Sequence, residues 1–114
     1  MPYISTTTSK KLSDREKDIL QKELGKIISI FPGKSEKWLM LSISDEVKMS
    51  FGGDGEKECA FVEVKVFGKV SSSASVSFTE AVCSLFEDLL SIPGDRVYVR
   101  YEESSHWGWN GANF

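Results

Sequence analysis

One motif is written twice along this chain. Ser29-Ile30-Phe31-Pro32-Gly33 is echoed by Ser91-Ile92-Pro93-Gly94, and each Pro-Gly pair follows an amphipathic run and precedes a short apolar strand pattern. Proline ends a helix because its nitrogen has no proton to donate, and glycine then permits the turn. The first half is predicted as strand 3–8, helix 14–31, turn 32–33 and strand 38–44. The second is predicted as strand 59–67, helix 77–91, turn 93–94 and strand 96–101. Ser13-Asp14-Arg15-Glu16 and Ser77-Phe78-Thr79-Glu80 both fit a capping box, in which a hydroxyl and a carboxylate satisfy backbone donors reciprocally. Ile19, Leu20, Leu24, Ile27, Ile28 and Phe31 share one stripe of the first helix, and Phe78, Val82, Leu85, Phe86, Leu89 and Leu90 share one of the second. The expectation is an α+β fold: two pseudo-symmetric β-α-β units sharing a four-stranded sheet, both helices on one face. At 114 residues it is expected to be a single domain spanning 1–114.

The strand patterns predict what each sheet face meets. Leu39, Leu41 and Ile43, Val62, Val64 and Val66, and Val97, Val99 and Tyr101 alternate onto the face that takes the helices. The other face is expected to carry Trp38, Met40, Ser42, Phe61, Glu63, Lys65, Phe67, Arg96, Tyr98 and Arg100. It is too aromatic to be left in water and too charged for a dry core, so it is expected to meet other subunits.

Composition removes several function classes. A net charge of −3 without a Lys/Arg run argues against a nucleic-acid partner. No stretch reaches the ~18 apolar residues that a membrane span needs, and no basic-then-apolar signal segment opens the chain. A cytoplasmic protein is expected, secreted only by a route that needs no signal peptide. Cys59 and Cys83 are too few for a disulfide framework and lack metal-ligand spacing, so no metal site is expected. The glycine-rich stretch Lys48 to Glu56 fits neither phosphate-binding fingerprint and reads as a loop. His106, the only histidine, reads as a surface residue.

The start of the chain carries the chemistry. Met1-Pro2 precedes the strand pattern directly, and initiator methionine is usually removed ahead of a small residue. Pro2 would then present a secondary amine. An α-amino group titrates near ~8, and apolar burial or a neighbouring cation lowers that value by disfavouring the charged form. Pro2 at the head of a core strand is therefore a candidate base at neutral pH.

With these residues in view, the chain resembles the macrophage migration inhibitory factor and D-dopachrome tautomerase family, in the wider tautomerase superfamily. The resemblance spans essentially the whole chain. It is carried by Met1-Pro2, Gly33-Lys34, Met49-Ser50-Phe51-Gly52-Gly53, Gly68-Lys69, Asp95-Arg96-Val97-Tyr98 and the ending Trp107-Gly108-Trp109-Asn110-Gly111-Ala112-Asn113-Phe114. It implies a homotrimer whose sheets wrap into a central barrel, with active sites between subunits. It also implies keto–enol tautomerisation of an aryl pyruvate such as phenylpyruvate, with Pro2 as catalytic base and no cofactor. Lys34 matches a lysine that holds the substrate carboxylate or the enolate; on its own residues, without the resemblance, it reads as a solvated turn lysine. Phe67 stands where the family has an isoleucine whose backbone contacts substrate. Tyr98 matches an aromatic supplied by the neighbouring subunit, Trp38 a rim aromatic, and Trp107 and Trp109 lie in the C-terminal segment as an apolar lid.

Two departures bear on function. Arg100 replaces an asparagine that contacts substrate, and it could grip a carboxylate, block the pocket or turn to an acidic neighbour such as Glu63. Cys59-Ala60-Phe61-Val62 lacks the second thiol of the animal cytokine's Cys-x-x-Cys, so thiol-disulfide chemistry is not expected. The same family tie leaves two alternatives: a leaderless cytokine-like protein that engages an immune receptor, and a superfamily enzyme with altered chemistry such as dehalogenation or hydration.

Overall fold

The computed structural model describes residues 2–114; Met1, whose removal the sequence reading expects, lies outside the described residues. The principal elements are β1 (Pro2–Thr8), α1 (Asp14–Ile27), β2 (Met40–Ser44), β3 (Ala60–Phe67), α2 (Ser72–Leu90) and β4 (Val97–Ser104), followed by a small hairpin of β5 (Gly108–Trp109) and β6 (Ala112–Asn113). The main sheet has the order β2-β1-β3-β4. β1 pairs with β2 in parallel, β3 with β4 in parallel, and β1 with β3 antiparallel. Parallel neighbours need a crossover connection, which is what each helix supplies. The doubled motif is therefore a doubled β-α-β unit, and the two central strands run against each other.

The aliphatic face takes both helices, as the alternation predicts. Ile4, Val62, Val64 and Val66 are fully buried beneath Leu20, Leu24 and Ile28 of the first crossover and Phe78, Val82, Phe86 and Leu90 of the second. Phe31 closes one end of this core, with its ring 4.9 Å from that of Phe78. The Tyr101 ring meets Phe31 edge-on, and its hydroxyl donates to the Ser75 carbonyl at 2.9 Å while lying 2.7 Å from Thr79 Oγ1.

Four boundaries differ from expectation by more than one residue. α1 stops at Ile27 and tightens into a 3-10 turn over Ile28–Ile30 before Pro32. β2 starts at Met40, because residues 36–38 form a 3-10 turn that lifts Trp38 off the sheet. β4 runs on to Ser104, in register with all of β3. The largest difference is at α2, which starts at Ser72 and not at Ser77. Its N-cap is Ser71, whose side chain accepts from the Ala74 backbone N–H at 3.2 Å, so the box at Ser77 is interior helix. Ala74 opens an every-fourth-residue buried stripe with Phe78, Val82, Phe86 and Leu90, and that burial carries the helix through serines that read as an approach. The Ser13 capping box of α1 is present as read.

One core feature was not legible beforehand. Thr6 is 1% exposed, and its hydroxyl has no hydrogen-bond partner among the described residues. A buried hydroxyl without a partner costs stability. Thr6→Val keeps the shape and removes the orphan, so it is expected to raise unfolding stability by about 1 kcal/mol, read as a higher urea midpoint at unchanged slope.

Candidate active site

One end of the main sheet gathers most of the residues singled out from the sequence. Pro2 is buried at the head of β1, with its Cα opposite Val66 of β3. Phe67, the next residue on β3, turns to the opposite, open face and is half-buried. Lys34 arrives from the turn after α1. In Phe31-Pro32-Gly33-Lys34 the Lys34 N–H donates back to the Phe31 carbonyl at 3.0 Å, and Gly33 holds φ at +78°. Proline then glycine at the two central positions suits a turn whose third residue needs positive φ. Buried Phe31 anchors that turn, and half-buried Lys34 donates from Nζ to the Phe67 carbonyl at 2.9 Å. An ammonium is thereby fixed at the β3 terminus, one residue past the partner of Pro2.

Aromatic rings wall this end. The Trp38 ring meets Trp109 edge-on at 5.1 Å, Trp109 stacks with Phe114 at 6.2 Å, and Phe114 packs on Phe67 at 5.6 Å. The hairpin of β5 and β6 makes this possible. Asn110 and Gly111 take positive φ at its tip, and Phe114 N–H returns to the Trp107 carbonyl at 3.0 Å. Trp38 and Trp109 stay 40% and 52% exposed, so the rings line an open wall and do not form a closed core. Phe114, the last residue of the ending that carries the resemblance, joins Trp109 to Phe67 and so completes this wall. Trp107 is half-buried at the hairpin base.

Tyr98 and Arg100 are not at this end. Tyr98 pairs with Phe61, five positions back along β3 from Val66, the partner of Pro2. At ~3.3 Å per residue, that separates the two sites by about 17 Å. Tyr98 is 59% exposed on the open face. Arg100 pairs with Glu63 in register, and its guanidinium sits 3.7 Å from both the Glu63 and the Glu102 carboxylates. Of the three placements open to it, the isolated protomer adopts the turn toward acidic neighbours.

Arg96 corrects a sequence expectation. It lies in a 3-10 turn ahead of β4, 8% exposed, and not on the open face. Its guanidinium donates to the carbonyls of Phe51 (3.0 Å) and Asp54 (3.2 Å) in the glycine-rich loop and of Lys57 and Glu58 (3.3 Å) just after it. That loop is pinned further by Asp54, which accepts from the Glu56 and Lys57 backbone N–H groups; these bonds hold its carboxyl below the usual range.

The remaining candidates are quiet. Cys59 is buried, and burial pushes the Cys83 thiol up, which disfavours the reactive thiolate there. His106 is exposed. Among the described residues no group of His, Cys, Asp and Glu could hold a metal ion, and no helix is long and apolar enough to cross a membrane.

Comparison with known proteins places this architecture. The family model described as macrophage migration inhibitory factor matches residues 1–114. The chain is 30% identical over 116 aligned positions to macrophage migration inhibitory factor of Xenopus laevis, covering 100% of this chain and 99% of that protein. Among solved structures, Leishmania major MIF2 superposes with a TM-score of 0.92 at 32% identity, covering 100% of this chain and 97% of that one. A macrophage migration inhibitory factor homologue from Prochlorococcus marinus gives 0.87 at 34% identity, covering 98% of each chain. A family match over the whole chain, a relative 30% identical across its full length and a shared topology agree: the chain belongs to the macrophage migration inhibitory factor family.

Proposed function

We propose that this chain is a keto–enol tautomerase acting on aryl pyruvates of the phenylpyruvate type, with the Pro2 secondary amine, freed by removal of Met1, as general base. The observation that carries this reading is the clamp of Lys34 Nζ on the carbonyl of Phe67. Phe67 follows Val66, the partner of Pro2, and its ring packs on the Phe114–Trp109–Trp38 wall. A lysine ammonium and an apolar wall are the two influences that keep a nearby amine unprotonated. Pro2 takes the enol hydroxyl proton or the acidic α-hydrogen and returns it to the other atom. Lys34 holds the carboxylate or the enolate oxygen as charge develops. The aryl ring lies against the aromatic wall.

In this reading the working unit is a homotrimer. The open face of the sheet supports it, with Met40 68% and Tyr98 59% exposed, and with edge strands β2 and β4 each paired on one side only. Tyr98 and Arg100, remote from Pro2 in their own chain, then serve the site of a neighbouring copy.

Arg100 favours one alternative, a superfamily enzyme with altered chemistry. Its guanidinium is 55% exposed and held by carboxylates only at 3.7 Å, so it is available to a second substrate carboxylate. A substrate panel separates the two. Faster enol decay of phenylpyruvate by ultraviolet absorbance, with 3-haloacrylates untouched, is the expected result. Halide release without effect on the enol would transfer the assignment to the alternative, and silence on both would reject each.

A further inference from the structure

Arg96 spends its guanidinium on something other than an ion pair. It is buried, and its N–H groups bond four main-chain carbonyls of one loop, those of Phe51, Asp54, Lys57 and Glu58. A planar fork with five donors can do this; a lysine ammonium, with three donors on one atom, cannot reach carbonyls spread over eight residues. The guanidinium also lies 5.3 Å from the centre of the Phe51 ring, within cation–π range. Phe51 is half-buried, and its ring in turn packs on Tyr98 at 4.9 Å, tilted by 46°. Phe61 supports the Tyr98 ring from another side, edge-on at 6.5 Å. The open-face ring of Tyr98 thus has a built support: one face of Phe51, whose own place is fixed by Arg96. The turn that Phe51 opens is tight, with Phe51 and Asp54 exchanging backbone bonds at 3.0 and 3.1 Å across Gly52-Gly53, both at positive φ.

We infer that Arg96 is a positioning residue for substrate binding, acting through Phe51 to hold the Tyr98 ring at the angle in which it contacts substrate in the neighbouring subunit's site. The inference rests on the tautomerase reading above and adds a residue set to it. Neither Arg96 nor Phe51 touches substrate. Their effect falls on how well the aryl group is held and not on proton transfer at Pro2, which lies at the other end of the sheet.

Phe51→Leu tests this most cleanly, because it keeps an apolar side chain in the loop while removing the ring. An aromatic pair contributes ~0.5–1.5 kcal/mol beyond its area, so KM for phenylpyruvate is expected to rise about 2- to 10-fold at a kcat within about twofold of wild type. Phe51→Tyr restores the ring and is expected to restore KM. Arg96→Lys, read in parallel where it folds, is expected to raise KM at least as much despite keeping the charge. A purely structural role would lower thermal stability in these variants and leave KM where it was. Wild-type KM in folded Phe51→Leu, or a fall in kcat at constant KM, would overturn the inference. A wild-type chain without Pro2-dependent turnover would instead remove the reading beneath it, and that result is seen before any loop variant is made.

Discussion

Pro2→Gly is expected to lower kcat/KM for phenylpyruvate tautomerisation by about 100-fold or more, within the range that a positioned general base contributes. The loss should fall on kcat, because the base acts in the transition state while Lys34 and the aromatic wall hold the ground state. Glycine still offers an amine, but it is a primary amine on a chain end without a ring to fix it. Pro2 is buried at the head of β1 with its Cα opposite Val66, so the pyrrolidine ring both packs the nitrogen and limits its directions. A second arm leaves the side chain intact. A chain that retains Met1 has an amide at this nitrogen, with no basic lone pair, and is expected to lose as much activity as the glycine variant. Stability is not the cause in the glycine variant: one glycine at a strand terminus costs only about 1 kcal/mol. Wild-type rates in both arms would end the assignment of Pro2 as base.

Much of this fold was legible because its signals are local and repeated. The two Pro-Gly stops, the Ser13–Glu16 box and the alternation of Val62, Val64 and Val66 each have one dominant physical reading, and the structure follows it. Where reading and structure part, two local signals compete. Ser77-Phe78-Thr79-Glu80 looks like a helix start, but Ser71 has a free choice of the same role, and burial of Ala74 extends the helix to it. Arg96 looks like an open-face strand residue because it precedes alternating Val97, Tyr98 and Val99. Only the tertiary fold brings the carbonyls of Phe51 to Glu58 beneath it, and no sequence period encodes that contact.

The candidate site divides along the same line. Lys34 and Phe67 were matched to roles one at a time, yet the hydrogen bond between Nζ and the Phe67 carbonyl joins residues 33 apart and is visible only in three dimensions. Trp107 and Trp109 read as a lid from their place in the C-terminal segment; the hairpin tip at Asn110-Gly111 is what turns Trp109 and Phe114 onto each other. Tyr98 and Pro2 were assigned to one site from the outset. The structure adds a separation of about 17 Å along the sheet, which agrees with the expectation that Tyr98 serves the neighbouring subunit.

That separation gives the most direct test of the central claim, a catalytic site composed of the Pro2 end of one subunit and the Tyr98 end of the next. Pro2→Gly and Tyr98→Ala chains are to be co-expressed in equal amounts and assayed with phenylpyruvate at a concentration where each alone is nearly silent. In a closed three-fold ring, random mixing puts both chains into about three quarters of the trimers, each of which regains one intact site of three. The mixture is expected to recover about a quarter of the wild-type activity. Mixed trimers no more active than the two parents would contradict the claim.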